Sequence, residues 1–278
     1  MYSDKATKWT DAELKSLERR IKQEYTKAYK ECKKEMTAIM SRLAEHPEWD
    51  SYKRMLEMQK YDRLDNLSNQ MAGVLQDTSL SASQFIEKSS QATFRVNYNW
   101  NAEKLQFALI DNTQARNILT KNINPFEKLS LEGQRDKSVI MRKLQSELLT
   151  SILSGESIRD TAVRIKSFVE SDMKKAITTA RTEVTRVQNS ARQSVSDEGK
   201  RLGFDMWKEW IATEDNRTRE EHANANGQQV PADQPFIVGG EELMYPGDVS
   251  LGASPENIVN CRCTMITFIK EKNTVDKK

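Results

Sequence analysis

The sequence has no run of about 18 apolar residues, so no segment reads as a membrane-spanning helix. Its first residues, MYSDKATKWTDAE, lack the apolar core of a secretory leader and argue against export by that route. Only three cysteines occur, an odd number with Cys32 far from the Cys261/Cys263 pair, which excludes a disulfide framework and fits a reducing cytoplasm. There is no glycine-rich phosphate loop, no nucleophile elbow and no His-x-Glu deaminase signature, so the commonest nucleotide and hydrolase chemistries have no motif here. Charge of one sign is also missing. The 43 basic and 41 acidic residues leave a net charge of +2, which argues against coating nucleic acid by bulk electrostatics.

What is abundant is charged helix. Charged residues make up 30% and hydrophobic residues 37%, with a mean hydropathy of -0.74, the profile of an elongated or assembly-bound protein rather than a compact enzyme. Leu14, Leu17, Ile21, Tyr25, Ala28, Cys32, Met36, Ile39 and Leu43 advance by threes and fours and predict one long amphipathic helix. His46-Pro47 ends it, and Pro47 suits the first turn of a second helix carrying Trp49, Tyr52, Leu56, Leu64, Leu67, Met71 and Leu75, the two forming an antiparallel hairpin. Cys32 and His46 read as a buried small residue and a helix-end residue.

Residues 78–124 are rich in Ser, Asn and Gln and suggest shorter helices around Phe85 to Phe94 and Ala102 to Leu119. Phe94, Tyr98, Trp100 and Phe107 could stack on bases, but Asn97, Asn99 and Asn101 bring no cation, so a helix-packing turn is preferred. The segment NINPFEKLS marks a boundary near residues 122–130. Val139, Ile140, Leu144, Leu148, Leu149 and Ile152 predict a helix that Gly155 terminates, and Ser157 is placed to cap the next one. A further helix is expected over Asp172 to Gly199.

Glycine and proline, scarce elsewhere, concentrate at the end. Seven of the ten Gly lie from residue 199 onward and four of the six Pro from residue 231 onward, together with His222 and two of the three Cys. Trp207 to Thr213 reads as a strand. Thr218-Arg219-Glu220-Glu221 has the form of a capping box opening a short helix that ends near Gly227. Phe236 to Val238, Gly239-Gly240 and Glu241 to Tyr245 predict a two-residue hairpin, Tyr245 to Asp248 a second turn, and Asn260 to Ile269 a last strand. The sequence EKNTVDKK should fray.

On a strand, Cys261 and Cys263 point to one face while Asn260, Arg262 and Thr264 point to the other. With His222 they form a donor set suited to zinc, with Asp215 as the fourth ligand and a structural role for the ion. Buried free cysteines packing a small sheet, with no cofactor required, are the competing reading. Asp215, Arg217, Arg219 and Asp248 can likewise be a hydrogen-bonded network that fixes loops, with Asp248 as an Arg partner.

The order Trp210-x4-Asp215-x-Arg217-Thr218-Arg219-x2-His222-x4-Gly227, the hairpin, Tyr245-Pro246-Gly247-Asp248 and Asn260-Cys261-Arg262-Cys263 resembles the head morphogenesis family of tailed bacteriophages, the Mu F-like minor head proteins. The resemblance covers roughly Leu144 to Phe268. Ala180-Arg181-Thr182-Glu183 resembles the Arg-Thr-Glu signature preceding the family's final domain, and implies that Arg181 and Glu183 dock this helix onto it. The resemblance implies a non-enzymatic virion protein, assembled in the host cytoplasm and held in the procapsid by the portal protein, with scaffold or major capsid protein and viral DNA as further partners.

The expected fold is mainly α with a C-terminal α+β domain: a helical region over 1–125, a second over 126–203, the Mu F-like domain over 204–269 and a flexible tail over 270–278. Two other functions stay open. One is a DNA-binding ejection factor, from the basic tracts KKAITTARTEVTR and KSVIMRK; the other is a metal-dependent hydrolase centred on His222, Cys261 and Cys263.

Overall fold

A computed structural model describes residues 4–122 and 137–270 of the chain. The boundary expected near 122–130 falls almost wholly outside the described residues, as does the tail from residue 271. The described elements are α1 (Lys5–Ala44), α2 (Ser51–Gln59), α3 (Arg63–Lys104), α4 (Asn112–Asn122), α5 (Lys137–Leu153) and α6 (Ile158–Arg201). They continue with β1 (Met206–Ile211), α7 (Glu220–Asn224), β2 (Gln229–Pro231), β3 (Phe236–Val238), β4 (Glu241–Leu243), α8 (Pro255–Ile258) and β5 (Thr264–Ile269). The fold is thus long helices followed by a small antiparallel sheet. Two compact units are recognisable, one of Met1–Leu17, Ile86–Phe126 and Thr178–Lys278, the other of Glu18–Phe85 and Glu127–Ile177.

The second unit is helical. Its part of α1 buries Ile21, Tyr25, Ala28, Cys32, Met36, Met40 and Leu43, so steps of four carry the buried line onto Met40 rather than the expected Ile39. Cys32 Sγ lies 4.0 Å from the Met71 carbonyl, which makes α3, not α2, the helix packed on this stripe. Pro47 stays in the connecting turn and does not open a helix. Asp50 does so instead, its carboxylate accepting from the Lys53 amide at 2.7 Å. On α5, Ile140, Leu144, Leu148 and Ile152 are buried whereas Val139, expected inside, is exposed. The corner after α5 forms as its residues dictate. Gly155 adopts φ +64° and donates to Ile152 O at 3.2 Å, and Ser157 Oγ accepts from the Asp160 amide at 3.2 Å to start α6.

In the first unit, the polar stretch expected to break into short helices is the second half of a single helix, α3. Its amides are satisfied by carbonyls one turn back, Asn97 Nδ2 on Thr93 O at 3.0 Å and Asn101 Nδ2 on Asn97 O at 2.7 Å, so they do not compete with the helix. Phe94 and Tyr98 pack among Ala102, Ala115, Leu119, Val187, Ala191 and Val195, which bears out helix packing for this pair. The helix expected over Ala102 to Leu119 is interrupted before α4. There Asn99 holds Ile110 through both its N–H (2.8 Å) and C=O (2.9 Å).

The sheet order is β2-β1-β5, all antiparallel, with Trp207 opposite Pro231 and Trp210 opposite Met265. Along β1, Met206, Lys208 and Trp210 point inward. The hairpin β3–β4 pairs Phe236 with Leu243, and Gly239 and Gly240 take φ +58° and +79°, the two positive values that a tight primed turn requires.

Helix α6 closes the outer edge of β5. Asn189 Nδ2 donates to Cys263 O and Asn189 Oδ1 accepts from Met265 N–H, both at 3.1 Å, while Arg192 donates to Met265 O at 2.7 Å. Gln188 reaches Thr264 Oγ1 at 3.0 Å and Gln193 reaches Ala232 O at 2.8 Å. Of the two residues expected to dock this helix, Glu183 is buried in an ion pair with Arg186 and Arg181 is exposed. Beside them, Gly247 approaches so closely that an added Cβ would sit 3.3 Å from Arg186 Cα.

Candidate metal centre

His222 is presented by α7, a single turn between the strand β1 and the edge strand β2. The predicted capping box does not form. Arg219 occupies the cap position without a side-chain bond, and the Thr218 hydroxyl donates instead to the Thr213 carbonyl. Cys261 and Cys263 precede β5, which begins at Thr264, so strand alternation is not what aligns them. After α8 the chain turns at Asn260, in the left-handed region at φ +55°, and the irregular segment that follows aims both sulfurs inward.

Three of the four predicted donors come together. His222 Nδ1 lies 3.6 Å from Cys261 Sγ and 3.5 Å from Cys263 Sγ, with the three donor atoms within 4.8 Å of one another. His222 is 1%, Cys261 2% and Cys263 3% exposed, inside a cluster that includes Trp210, Phe236, Val238, Leu243 and Met265. The Trp210 ring meets the imidazole edge-on at 5.6 Å. Sharing of a proton between the sulfurs draws the Cys263 thiol below its usual range and drives the Cys261 thiol above it.

Asp215 does not join them. Its carboxylate is gripped by both terminal nitrogens of Arg262 at 2.5 Å and accepts from the Arg217 amide at 3.0 Å, and these bonds hold it well below the usual carboxylate range. The expected polar network is therefore only partly formed. Arg217 pairs with Asp215, but Arg219 donates to the Val259 carbonyl at 2.5 Å. Asp248, expected to meet an Arg, accepts from the Met244 and Ser250 amides at 2.9 Å each and from the Ser250 hydroxyl at 2.8 Å. A carboxylate after a Gly in a turn is within reach of free amides, and these took it.

Two residues that orient the site had no sequence signal. Asn257 on α8 donates from Nδ2 to Glu241 at 2.6 Å and to Val238 O at 3.4 Å, which turns its Oδ1 toward His222 Nε2 at 3.2 Å. That oxygen can only accept. Nε2 therefore carries the ring proton, and the Nδ1 lone pair faces the sulfurs. Glu241 is itself fixed by the Ser254 amide at 3.0 Å and hydroxyl at 3.1 Å.

Comparison with known proteins bears on the same segment. A family model described as "Phage Mu protein F like protein" matches residues 142–266. The likeness read from the motifs thus holds over nearly the same span, and every member of the His222 site lies within the Mu F-like segment.

Curated relatives include "Minor head protein GP7" of Bacillus phage SPP1, 29% identical over 150 residues, covering 52% of this chain and 47% of that protein. Another is "NAD(+)--arginine ADP-ribosyltransferase EFV" of Enterococcus faecalis, 29% identical over 165 residues, covering 59% of this chain but 33% of that protein. A third is YqbB of Bacillus subtilis, 28% identical over 131 residues, 46% of this chain and 42% of the relative. The chain therefore spans a third to about half the length of these relatives. No solved structure matches.

Proposed function

We propose that the protein is a minor head protein of a tailed phage or prophage. It acts in head morphogenesis or DNA delivery, and is carried in the virion in contact with the portal protein. The observation that carries this reading is the Mu F-like match over residues 142–266, joined by the likeness to a minor head protein across 52% of the chain. The long helices supply contact surface, and the terminal module is a rigid recognition element. Scaffold protein, major capsid protein and viral DNA are the further partners this role brings.

Burial of the site supports a non-enzymatic role over the hydrolase alternative. At 1–3% exposure, the His222, Cys261 and Cys263 side chains are closed off from solvent, which favours this reading. The ADP-ribosyltransferase name belongs to a relative of which the chain covers 33%. The DNA-binding alternative draws little from the aromatic group, because the Lys5 and Lys104 ammonium groups already lie over the Trp100 ring at 5.6 and 5.0 Å.

The test is mass spectrometry of purified heads, with co-expression of the tagged portal protein. The chain should be found in heads at low copy and co-purify with the portal protein. Its absence from heads, or normal infectious heads from a deletion strain, would contradict the reading.

A further inference from the structure

We propose that His222 Nδ1, Cys261 Sγ and Cys263 Sγ bind a single zinc-class divalent cation, and that Asn257 and Glu241 act through the imidazole as positioning residues. The first argument is one of donor count. Two sulfurs converge on one imidazole lone pair, at 3.6 and 3.5 Å. The imidazole lone pair accepts one well-directed S–H, so the ring can hydrogen-bond only one of the two sulfurs at a time, whereas a cation between the three atoms engages both directly.

The spacing agrees. Zinc bonds of about 2.3 Å to sulfur and about 2.0–2.1 Å to nitrogen, at a tetrahedral angle, put N and S about 3.5 Å apart. The charge balances too. Two thiolates neutralise a divalent ion, so the filled site carries no net charge into an apolar cluster, and the two thiol protons leave to solvent on binding.

The chain beyond the donors is arranged for the same purpose. A ligating imidazole is oriented by an acceptor on its other nitrogen, and Asn257 Oδ1 occupies that position at 3.2 Å, itself held by Glu241 at 2.6 Å. No fourth His, Cys, Asp or Glu among the described residues joins the group. Asp215, committed to Arg262, does not supply a fourth ligand. The ion's work is structural: it ties α7 and, through Asn257, α8 to the segment leading into the edge strand β5.

The experiment uses the full chain, purified untagged under reducing conditions, with elemental analysis and replacement of the native metal by cobalt. One zinc per chain is expected, and the cobalt form should show sulfur-to-metal charge-transfer absorption that Cys263→Ser diminishes. Asp215→Asn should retain the metal in full, and Asn257→Leu should weaken zinc affinity roughly 10- to 100-fold while the protein stays folded. These two variants and the wild-type cobalt spectrum keep the test decisive if ligand variants fail to fold. A folded wild-type protein that neither retains nor takes up zinc or cobalt would overturn the assignment, as would a cobalt form without thiolate bands or metal lost in Asp215→Asn. None of those outcomes touches the head-protein reading, which rests on the family match and is tested in heads.

Discussion

Asn189 and Met265, 76 residues apart, are joined as a strand would join them. The Asn189 side-chain amide accepts from Met265 N–H and donates to Cys263 C=O, both at 3.1 Å, so one side chain on α6 replaces a missing neighbour at the edge of β5. Asn189→Ala leaves a buried donor and a buried acceptor unmade. Each such loss costs about 1–3 kcal/mol, so unfolding in denaturant should show a stability loss of roughly 2–6 kcal/mol. An unchanged midpoint would show that water replaces the amide without cost.

Arg192 and Asp4 form a second long-range tie, a buried ion pair at 3.2 Å across 188 residues of chain. The same guanidinium donates to Thr7 Oγ1 at 2.8 Å and Met265 O at 2.7 Å, while Asp4 also caps α1 through the Thr7 amide at 2.7 Å. Removing one partner of a buried pair costs about 3–5 kcal/mol, so Arg192→Ala should destabilise by that amount. Asp4→Asn, which can keep the cap, should cost less. Equal effects in denaturant titrations would mean that charge, not the hydrogen-bond fan, dominates.

Lys208 is fully buried on β1, its ammonium donating to Met244 O at 2.6 Å and Gln193 Oε1 at 3.0 Å. Burial pushes its pKa down to about 8 from 10.5. Between those values the folded state loses its proton first and the unfolded chain binds more, so this group's contribution makes stability rise with pH across the window. Melting temperatures of the wild type minus those of Lys208→Met should climb from pH 8 to 10. A flat difference would show that the lysine stays charged inside.

For the Asp215 carboxylate the slope has the same sign, in a lower pH window. Arg262 holds its pKa well below the ordinary value near 3.8, so its contribution is complete above about pH 4 and fades as pH falls below it. Asp215→Asn should melt lower than the wild type at pH 6, with the gap closing toward pH 2. A gap that persists in acid would assign the effect to lost geometry instead of charge.

Much of this was legible because some residues act locally. The apolar period of α1, Gly155 with Ser157 at the α5–α6 corner, and Gly239-Gly240 in the hairpin each specify structure through neighbours a few positions away. The His222, Cys261 and Cys263 convergence could be read from donor chemistry, although the strand invoked to align the cysteines starts after them. Asn189, Arg192 and Gln193 were not legible. Polar residues on a helix read as a solvated face, and only the fold reveals that their partners are carbonyls of Cys263, Met265 and Ala232. The same limit hid Asn257, and misread the Asn-rich half of α3 as a break.

The terminal module's dependence on metal is tested most directly by melting the reduced wild-type protein with and without a tight zinc chelator. The probe is the part of the near-ultraviolet signal that Trp210→Phe removes, since the Trp210 ring abuts His222 at 5.6 Å. The chelated protein should lose that signal at a clearly lower temperature and regain the original transition when zinc is restored. Superimposable melts, with the tryptophan signal intact after the chelator has removed every ion, would contradict a metal-stapled module.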